Sequence, residues 1–196
     1  FMLLGGSLGQ IGESLAFHGQ KLISIESVPG SMITGWSLLV RGWPPSMIPG
    51  NGIWAVEGPA EFFNRFWMLP IGWLYYTVWR TKSLSVKFDW RVPVNLVLIF
   101  LVFSKNLNPQ YVWWYMALLP MIEADRVVWA LTLGVALLNQ LVYPVFYTTL
   151  IDNFYQHNEQ HWIYYLLVLR NMGLVAVAYL TWKNTFARSR AVRQPQ

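Results

Sequence analysis

Lys105-Asn106-Leu107-Asn108-Pro109-Gln110-Tyr111 stands between two apolar runs, Val92-Pro93-Val94-Asn95-Leu96-Val97-Leu98-Ile99-Phe100-Leu101-Val102-Phe103 before it and Val112-Trp113-Trp114-Tyr115-Met116-Ala117-Leu118-Leu119-Pro120-Met121-Ile122 after it. A lysine, two asparagines and a glutamine are costly at membrane depth unless they line a protein-enclosed cavity or sit at its mouth. Pro109 suits the first turn of a helix, and Asn108 before it is a good N-cap. The stretch therefore reads as a hinge, where one buried helix ends and another begins at a polar, partly wet surface. Function is expected there.

Composition agrees with the membrane reading. The chain is 55% hydrophobic and 12% charged, with twelve Trp in 196 residues; a soluble domain carries roughly twice that charged fraction. Trp and Tyr favour bilayer interfaces, where the ring is apolar and the N–H or O–H is wet. An all-α integral membrane protein is expected, a polytopic helix bundle in contact with the lipid bilayer. The net charge of +5 gathers in particular loops, which points to topology and away from nucleic acid. With no cysteine, disulfides and thiolate chemistry are excluded.

Working outward, five segments read as helices: about 61–80, 91–104, 109–122, 126–147 and 162–182. A helix rises ~1.5 Å per residue and needs ~20 residues to cross a ~30 Å core, so the second and third are short. Arg80, Lys82, Lys87 and Arg91 share one loop, Arg126 a second, and Lys183, Arg188, Arg190 and Arg193 the tail. Those basic residues fall on one side if the helices alternate. The opposite loop, Thr148 to His161, holds Asp152 and Glu159 without Lys or Arg. By the positive-inside rule the tail is cytoplasmic and the hinge faces out. A multi-pass protein of a prokaryotic plasma membrane is expected.

Upstream, the apolar Phe1-Met2-Leu3-Leu4 reads as the end of a helix that begins before this chain, so 1–13 closes a truncated spanning helix. Pro44-Pro45, Gly50-Asn51-Gly52 and Gly58-Pro59 mark turns, making 41–60 a non-helical connection. Val28 to Val40 is apolar but too short to span. It reads as an interfacial or re-entrant helix, so 14–60 forms one external segment; a sixth spanning helix is the alternative. The expected organisation is completed by a bundle over 61–182, with five or six spanning helices in all, and a basic tail over 183–196, disordered from Ala187.

The external segment carries His18-Gly19-Gln20-Lys21-Leu22-Ile23-Ser24-Ile25-Glu26-Ser27. Lys can hold a phosphate as a point charge, and Glu or His can move a proton. The plainer reading is a polar loop in which Ser27 caps the next helix. Two His at i and i+4 in His157-Asn158-Glu159-Gln160-His161 have metal-ligand spacing, but they sit in a loop without a clear third ligand, and no metal is expected. Arg170 lies eight residues into its helix from Trp162, and Asn139 eight residues from Tyr147. Both are about 12 Å deep at ~1.5 Å per residue. An unpaired Arg there costs at least ~2.5 kcal/mol, so Arg170 is expected to face the bundle, near Asn139.

Lys21 to Ser27, then Ile53-Trp54-Ala55-Val56-Glu57-Gly58, then Ser104-Lys105 through Asn108-Pro109-Gln110-Tyr111, together resemble a family of polytopic glycosyltransferases. It is the GT-C type, in particular family 87. Its members carry an Arg-x-Leu-Gln-Ile-Glu-Ser-like string, a later Glu-Gly in a turn, and Ser/Asn-Pro-Gln-Tyr/Phe after a Lys. Here Lys21 stands where Arg is usual and Ser24 where Gln is usual. The resemblance implies the C-terminal half of a GT-C fold that transfers a sugar, often mannose. The donor is polyprenyl-phosphate-linked, the acceptor a glycan or glycolipid, and transfer occurs on the extracytoplasmic face with inversion and without a cofactor. It implies substrate-binding roles for His18, Lys21, Glu26, Ser27, Glu57, Lys105, Asn108, Gln110 and Tyr111. The catalytic Asp is expected in an external loop upstream, which leaves this stretch inactive alone. The rival readings are a transporter or flippase component, for which Arg170 and Asn139 would mark a pathway, and a non-catalytic membrane subunit. On the glycosyltransferase reading, the hinge and the Glu26/Ser27 segment converge within roughly 15 Å, the span of a small-molecule pocket.

Overall fold

The structure, a computed structural model, describes residues 13, 22–50, 53–56, 66, 68–82, 89–156 and 162–191. The described chain is mostly helical. Helix α1 (Val28–Arg41) begins where Ser27 supplies its cap and Pro29 fixes the first turn. It ends at Gly42, whose φ of 79° puts it in the left-handed region that glycine adopts without a Cβ penalty. Strands β1 (Met47–Gly50) and β2 (Ile53–Val56) pair antiparallel, Met47 opposite Val56 and Gly50 opposite Ile53. Next come α2 (Met68–Lys82), α3 (Arg91–Phe103) and α4 (Tyr111–Leu118), the last tightening into a 3-10 turn over Leu119–Ile122. Helix α5 (Arg126–Gln140) starts on Asp125, which accepts from the Val128 N–H at 2.8 Å. It kinks through Leu141–Val145, where Pro144 lacks an N–H and Tyr143 leaves helical geometry. Helices α6 (Tyr147–Gln156) and α7 (Trp162–Ala191) complete the chain.

Two helices are long and apolar enough to cross a membrane: Arg126–Val145, with 20 residues, and the Trp162–Thr185 part of α7, with 24. Arg91–Phe103 and Tyr111–Ile122 are apolar but shorter. Of the five expected helical segments, only these two reach the ~20 residues that a full crossing needs among the described residues.

Helix α7 is the central post, packed against α1, α3 and α5. Gly173 lets α5 come close, since a Cβ there would lie 2.7 Å from Val135 Cγ2. One apolar core joins α3, α4, α5 and α7 through Leu98, Tyr115, Val135 and Leu174. A second lies under the hairpin, built from Ile25, Leu38, Val56, Ile163 and Leu167. Buried among these cores are Asn95, Thr132, Asn139, Arg170 and Asn171. Trp36, Leu39, Leu133, Leu137, Met172 and Tyr179 are exposed instead. Polar groups inside and large apolar groups outside is the arrangement a lipid-facing bundle needs.

The structure refines the expectations in three places. The mostly helical fold carries one short antiparallel pair, Met47–Gly50 with Ile53–Val56; the sequence between them, Asn51-Gly52, is a pair that two-residue hairpin connections favour. Thr148 to His161 is not all loop, because Tyr147–Gln156 is helical; Tyr147, Leu150, Ile151 and Phe154 have i, i+3, i+4, i+7 spacing, and Leu150 is buried in the second core. Helix α7 continues through Ala191, past Ala187, the expected start of a disordered tail. The expected helix over Val28 to Val40 is present, one residue longer.

Candidate functional site

Segment 22–27 meets β2 at an isolated antiparallel bridge, Ser24 opposite Ala55. Ile25 N–H donates to the Trp54 carbonyl and Val56 N–H to the Ile23 carbonyl, both at 2.9 Å. On its other side, Ser24 N–H donates to the Lys105 carbonyl at 2.9 Å. The loop before α1 and the hinge before α4 are thus in direct contact, 81 residues apart in sequence. The chain then turns sharply. Ser27 Oγ donates to the Ser24 carbonyl at 2.7 Å and accepts from Gly30 N–H at 3.0 Å. A Cβ at Gly30 would collide with that Ser24 carbonyl, so glycine is what allows the turn to sit on the helix start.

Glu26 and Ser27 are buried, and so is Lys105, only 2% exposed. Burial pushes the Glu26 carboxyl up to about 7, with the Arg170 guanidinium pulling the other way. Burial also lowers the Lys105 ammonium from its ordinary value. Beside it, Ser104 Oγ donates to the Asn106 carbonyl at 2.8 Å, and Asn106 Oδ1 is buried with no hydrogen-bond partner among the described residues. Asn108 gives its carbonyl, not its side chain, to the start of α4, accepting from Tyr111 N–H at 2.9 Å. The expected side-chain cap is replaced by a backbone turn, and Gln110 occupies the cap position without a side-chain bond. Gln110 is exposed and Tyr111 half-buried; the Tyr111 ring stacks on Trp114 with centroids 4.5 Å apart.

Beneath the two loops lies a polar seam. Arg170 Nη1 donates to Asn139 Oδ1 at 3.1 Å, and Nε to Asn171 Oδ1 at 3.1 Å. Arg170 Nη2 donates to the Glu26 carbonyl. Asn171 Nδ2 reaches the Glu26 and Ser27 carbonyls, each at 3.0 Å, and Ser31 Oγ at 2.6 Å. Asn139 Nδ2 donates to the Pro109 carbonyl at 3.1 Å. Arg170 therefore faces the bundle and meets Asn139, as its depth predicts. Asn171 was not singled out in the sequence; an Arg-Asn pair flanked by Leu169 and Met172 was the available signal.

Next to Lys105 opens an apolar groove of about 590 Å³, walled by Val28, Met32, Leu69, Val102 and Phe103. Lys105 is the charged residue among its described lining residues. A second groove, of about 620 Å³, shares Val28, Met32 and Val175 with the first and continues between Trp36, Leu39, Met172 and Tyr179. Of the candidates named above, Glu26 and Ser27 belong to the turn that the Ser24–Lys105 backbone bond joins to the hinge; the Glu26 carboxyl lies in electrostatic reach of Arg170 and Tyr147, Lys105 lines the groove, and Asn108, Gln110 and Tyr111 follow along the hinge. His18, Lys21, Glu57 and the His157–His161 string lie outside the described residues. No protein-family model matches the chain, and neither do curated proteins nor solved structures.

Proposed function

We propose that this chain is the substrate-binding half of a membrane glycosyltransferase that takes a sugar from a polyprenyl-phosphate-linked donor. The observation that carries the reading is the apolar groove with Lys105 in its wall, beside the Ser24–Ser27 turn. A polyprenyl chain needs an apolar trough, and its phosphate needs a cation at one end. An ammonium serves as a compact point charge, and a phosphate beside it would offset the effect of burial on Lys105. In transfer, the bond between the sugar C1 and the phosphate oxygen breaks. A hydroxyl oxygen of the glycan or glycolipid acceptor forms the new bond to C1. Its proton passes to a base expected upstream, and polyprenyl phosphate leaves next to Lys105. On this reading Glu26 is assigned the orientation of a sugar hydroxyl.

The outward-facing apolar side chains support insertion in a bilayer, and the basic residues support an orientation with the hinge and hairpin outside and the C-terminus cytoplasmic. A solute pathway is the less supported alternative. Arg170 and Asn139, its natural markers, are engaged by amides and backbone carbonyls.

The test uses the full-length protein in membranes at matched levels, following labelled sugar from lipid donor to acceptor. Lys105→Ala and Glu26→Ala are each expected to reduce transfer at least tenfold, about 1.4 kcal/mol of barrier, with insertion intact. Wild-type turnover in both variants removes these residues from the site. Solute movement without any sugar transfer replaces the reading with a transporter.

A further inference from the structure

We infer that Arg170 is a positioning residue that sets the two loops of the site in register, although it is placed to touch neither donor nor acceptor. Its guanidinium is 1% exposed and holds one loop directly, through the Glu26 carbonyl. It holds the other through Asn139, whose Oδ1 accepts from Arg170 and whose Nδ2 donates to the Pro109 carbonyl. That amide has one orientation that satisfies both neighbours, because a guanidinium can only donate and a carbonyl can only accept. Asn171 is fixed in the same way, with its oxygen on Arg170 and its nitrogen on the Glu26 and Ser27 carbonyls. One planar fork thus ties together residues 31 and 144 positions away in sequence.

The chemistry of the partners separates positioning from simple stabilisation. The groups that accept from Arg170 are neutral amides and a backbone carbonyl, with the Glu26 carboxyl in electrostatic reach. Replacing a whole buried charged network by well-packed apolar side chains is often neutral for stability, whereas removing the Arg alone leaves its acceptors unpaired and destabilises the fold. What an apolar side chain cannot do is hold two loops at fixed distances. A lysine cannot do it either, since one ammonium lacks the fork that spans Asn139, Asn171 and the Glu26 carbonyl.

The test has two arms, and only the second rests on the proposed glycosyltransferase reading. This chain has no cysteine; with any cysteine elsewhere in the full-length protein changed to Ser, spin labels are placed at Ser46→Cys before the hairpin and Trp113→Cys after the hinge, both exposed positions. Pulsed electron resonance on the full-length protein then reads the distance distribution between the loops. A single narrow distribution is expected with Arg170. Arg170→Lys is expected to broaden it, and so is Asn139→Ala, which cuts the hinge branch alone. The combined variant is expected to broaden it no further than Arg170→Lys does. In the second arm, Arg170→Lys lowers kcat for sugar transfer at least tenfold, while the KM for the lipid donor moves less than threefold. A mainly structural role would instead lower the amount of folded protein and leave kcat per folded molecule unchanged. Narrow distributions in both Arg170→Lys and Asn139→Ala overturn the inference, as does wild-type kcat in Arg170→Lys. Absence of sugar transfer from the wild type sinks the glycosyltransferase reading, and the distance arm then decides the inference on its own.

Discussion

The two ends of α7 use polar residues for different purposes. Near its start, Arg170 and Asn171 are buried and their bonds end on carbonyls of loops from distant parts of the chain. Near its finish, two bonds tie α7 to α3 and to the cap of α5, and a third stays within α7. Asn95 Nδ2 donates to Thr185 Oγ1 at 3.0 Å, Thr185 Oγ1 donates to the Thr181 carbonyl at 2.8 Å, and Asn184 Nδ2 donates to Asp125 Oδ2 at 2.8 Å. The second set staples helices that apolar packing already holds, and Asp125 is exposed to solvent. The first set holds loops whose apolar anchors are the single side chains Ile23, Ile25 and Leu107. Removing a staple loosens one contact, whereas removing the post leaves two loops joined chiefly by their own Ser24–Lys105 backbone bond.

Arg170→Leu should therefore show the largest loss. It leaves the Asn139 and Asn171 side-chain oxygens without their donor, and the Glu26 carbonyl with Asn171 alone. Each buried group that loses its partner costs ~1–3 kcal/mol, so a total on the order of 3–4 kcal/mol is expected, read as thermal unfolding in detergent. A loss below ~1 kcal/mol would mean the loops hold themselves. Gly30→Ala should come next, at about 2–3 kcal/mol, because the added methyl must displace the Ser24 carbonyl. Gly72→Ala is the control. It puts a methyl where nothing lies within 4 Å and should be neutral or slightly stabilising. Equal effects at the two glycines would deny that the turn is packed against α1.

How much of this could be read from sequence follows from which forces are local. The helix start at Val28 was legible because Ser27 and Pro29 are local signals, and the hinge because polar residues interrupt two apolar runs. The meeting of Arg170 and Asn139 was legible through depth alone, since two polar groups at equal depth on adjacent helices have few other partners. The hairpin was less so. Its Asn51-Gly52 connection is a strong turn signal, but the strands are only four residues long, and much of their pairing depends on segment 22–27 lying alongside. Helix α6 was missed because Thr148, Thr149, Asp152 and Asn153 suggested a loop, while its apolar spacing is satisfied only by docking on the Ile163 and Tyr164 face. Glu26 could be named as a candidate but not as buried, because the groups that meet it, Arg170 and Asn171 of α7, lie far along the chain.

A smaller and pH-dependent effect tests that burial. With its value pushed up to about 7, Glu26 in the folded chain keeps a proton that the unfolded chain releases between pH ~4.5 and ~7. Its contribution is fully present below pH ~4.5 and is lost as pH rises through about 7. Glu26→Gln, neutral throughout, removes that slope. The variant should match the wild type near pH ~4 and exceed its stability by on the order of 1–3 kcal/mol near pH ~8. Among the described residues, Arg170 and Tyr147 are the titratable groups within electrostatic reach of the carboxyl. A wild-type stability curve that is flat from pH ~4.5 to ~8 would show that the carboxyl stays ionised and is matched by Arg170.

The smallest effect belongs to the far end of α7, and it is the one that sharpens the contrast between the two ends. Asn184→Ala removes a single bond, to a carboxylate that is exposed and already accepts from Val128 N–H at its other oxygen. Water can replace the lost donor, so the cost should stay near ~0.5 kcal/mol. Asn171→Ala removes a side chain with bonds to two carbonyls, a hydroxyl and a guanidinium, all buried, and water has no route to replace them. Its cost should be several-fold larger under the same conditions. The two asparagines lie 13 residues apart on one helix, so helix propensity cancels between the variants and the difference reports their partners. Similar losses in both would mean that the ends of α7 are equivalent staples, and the loop-holding role of the first end would have to be given up.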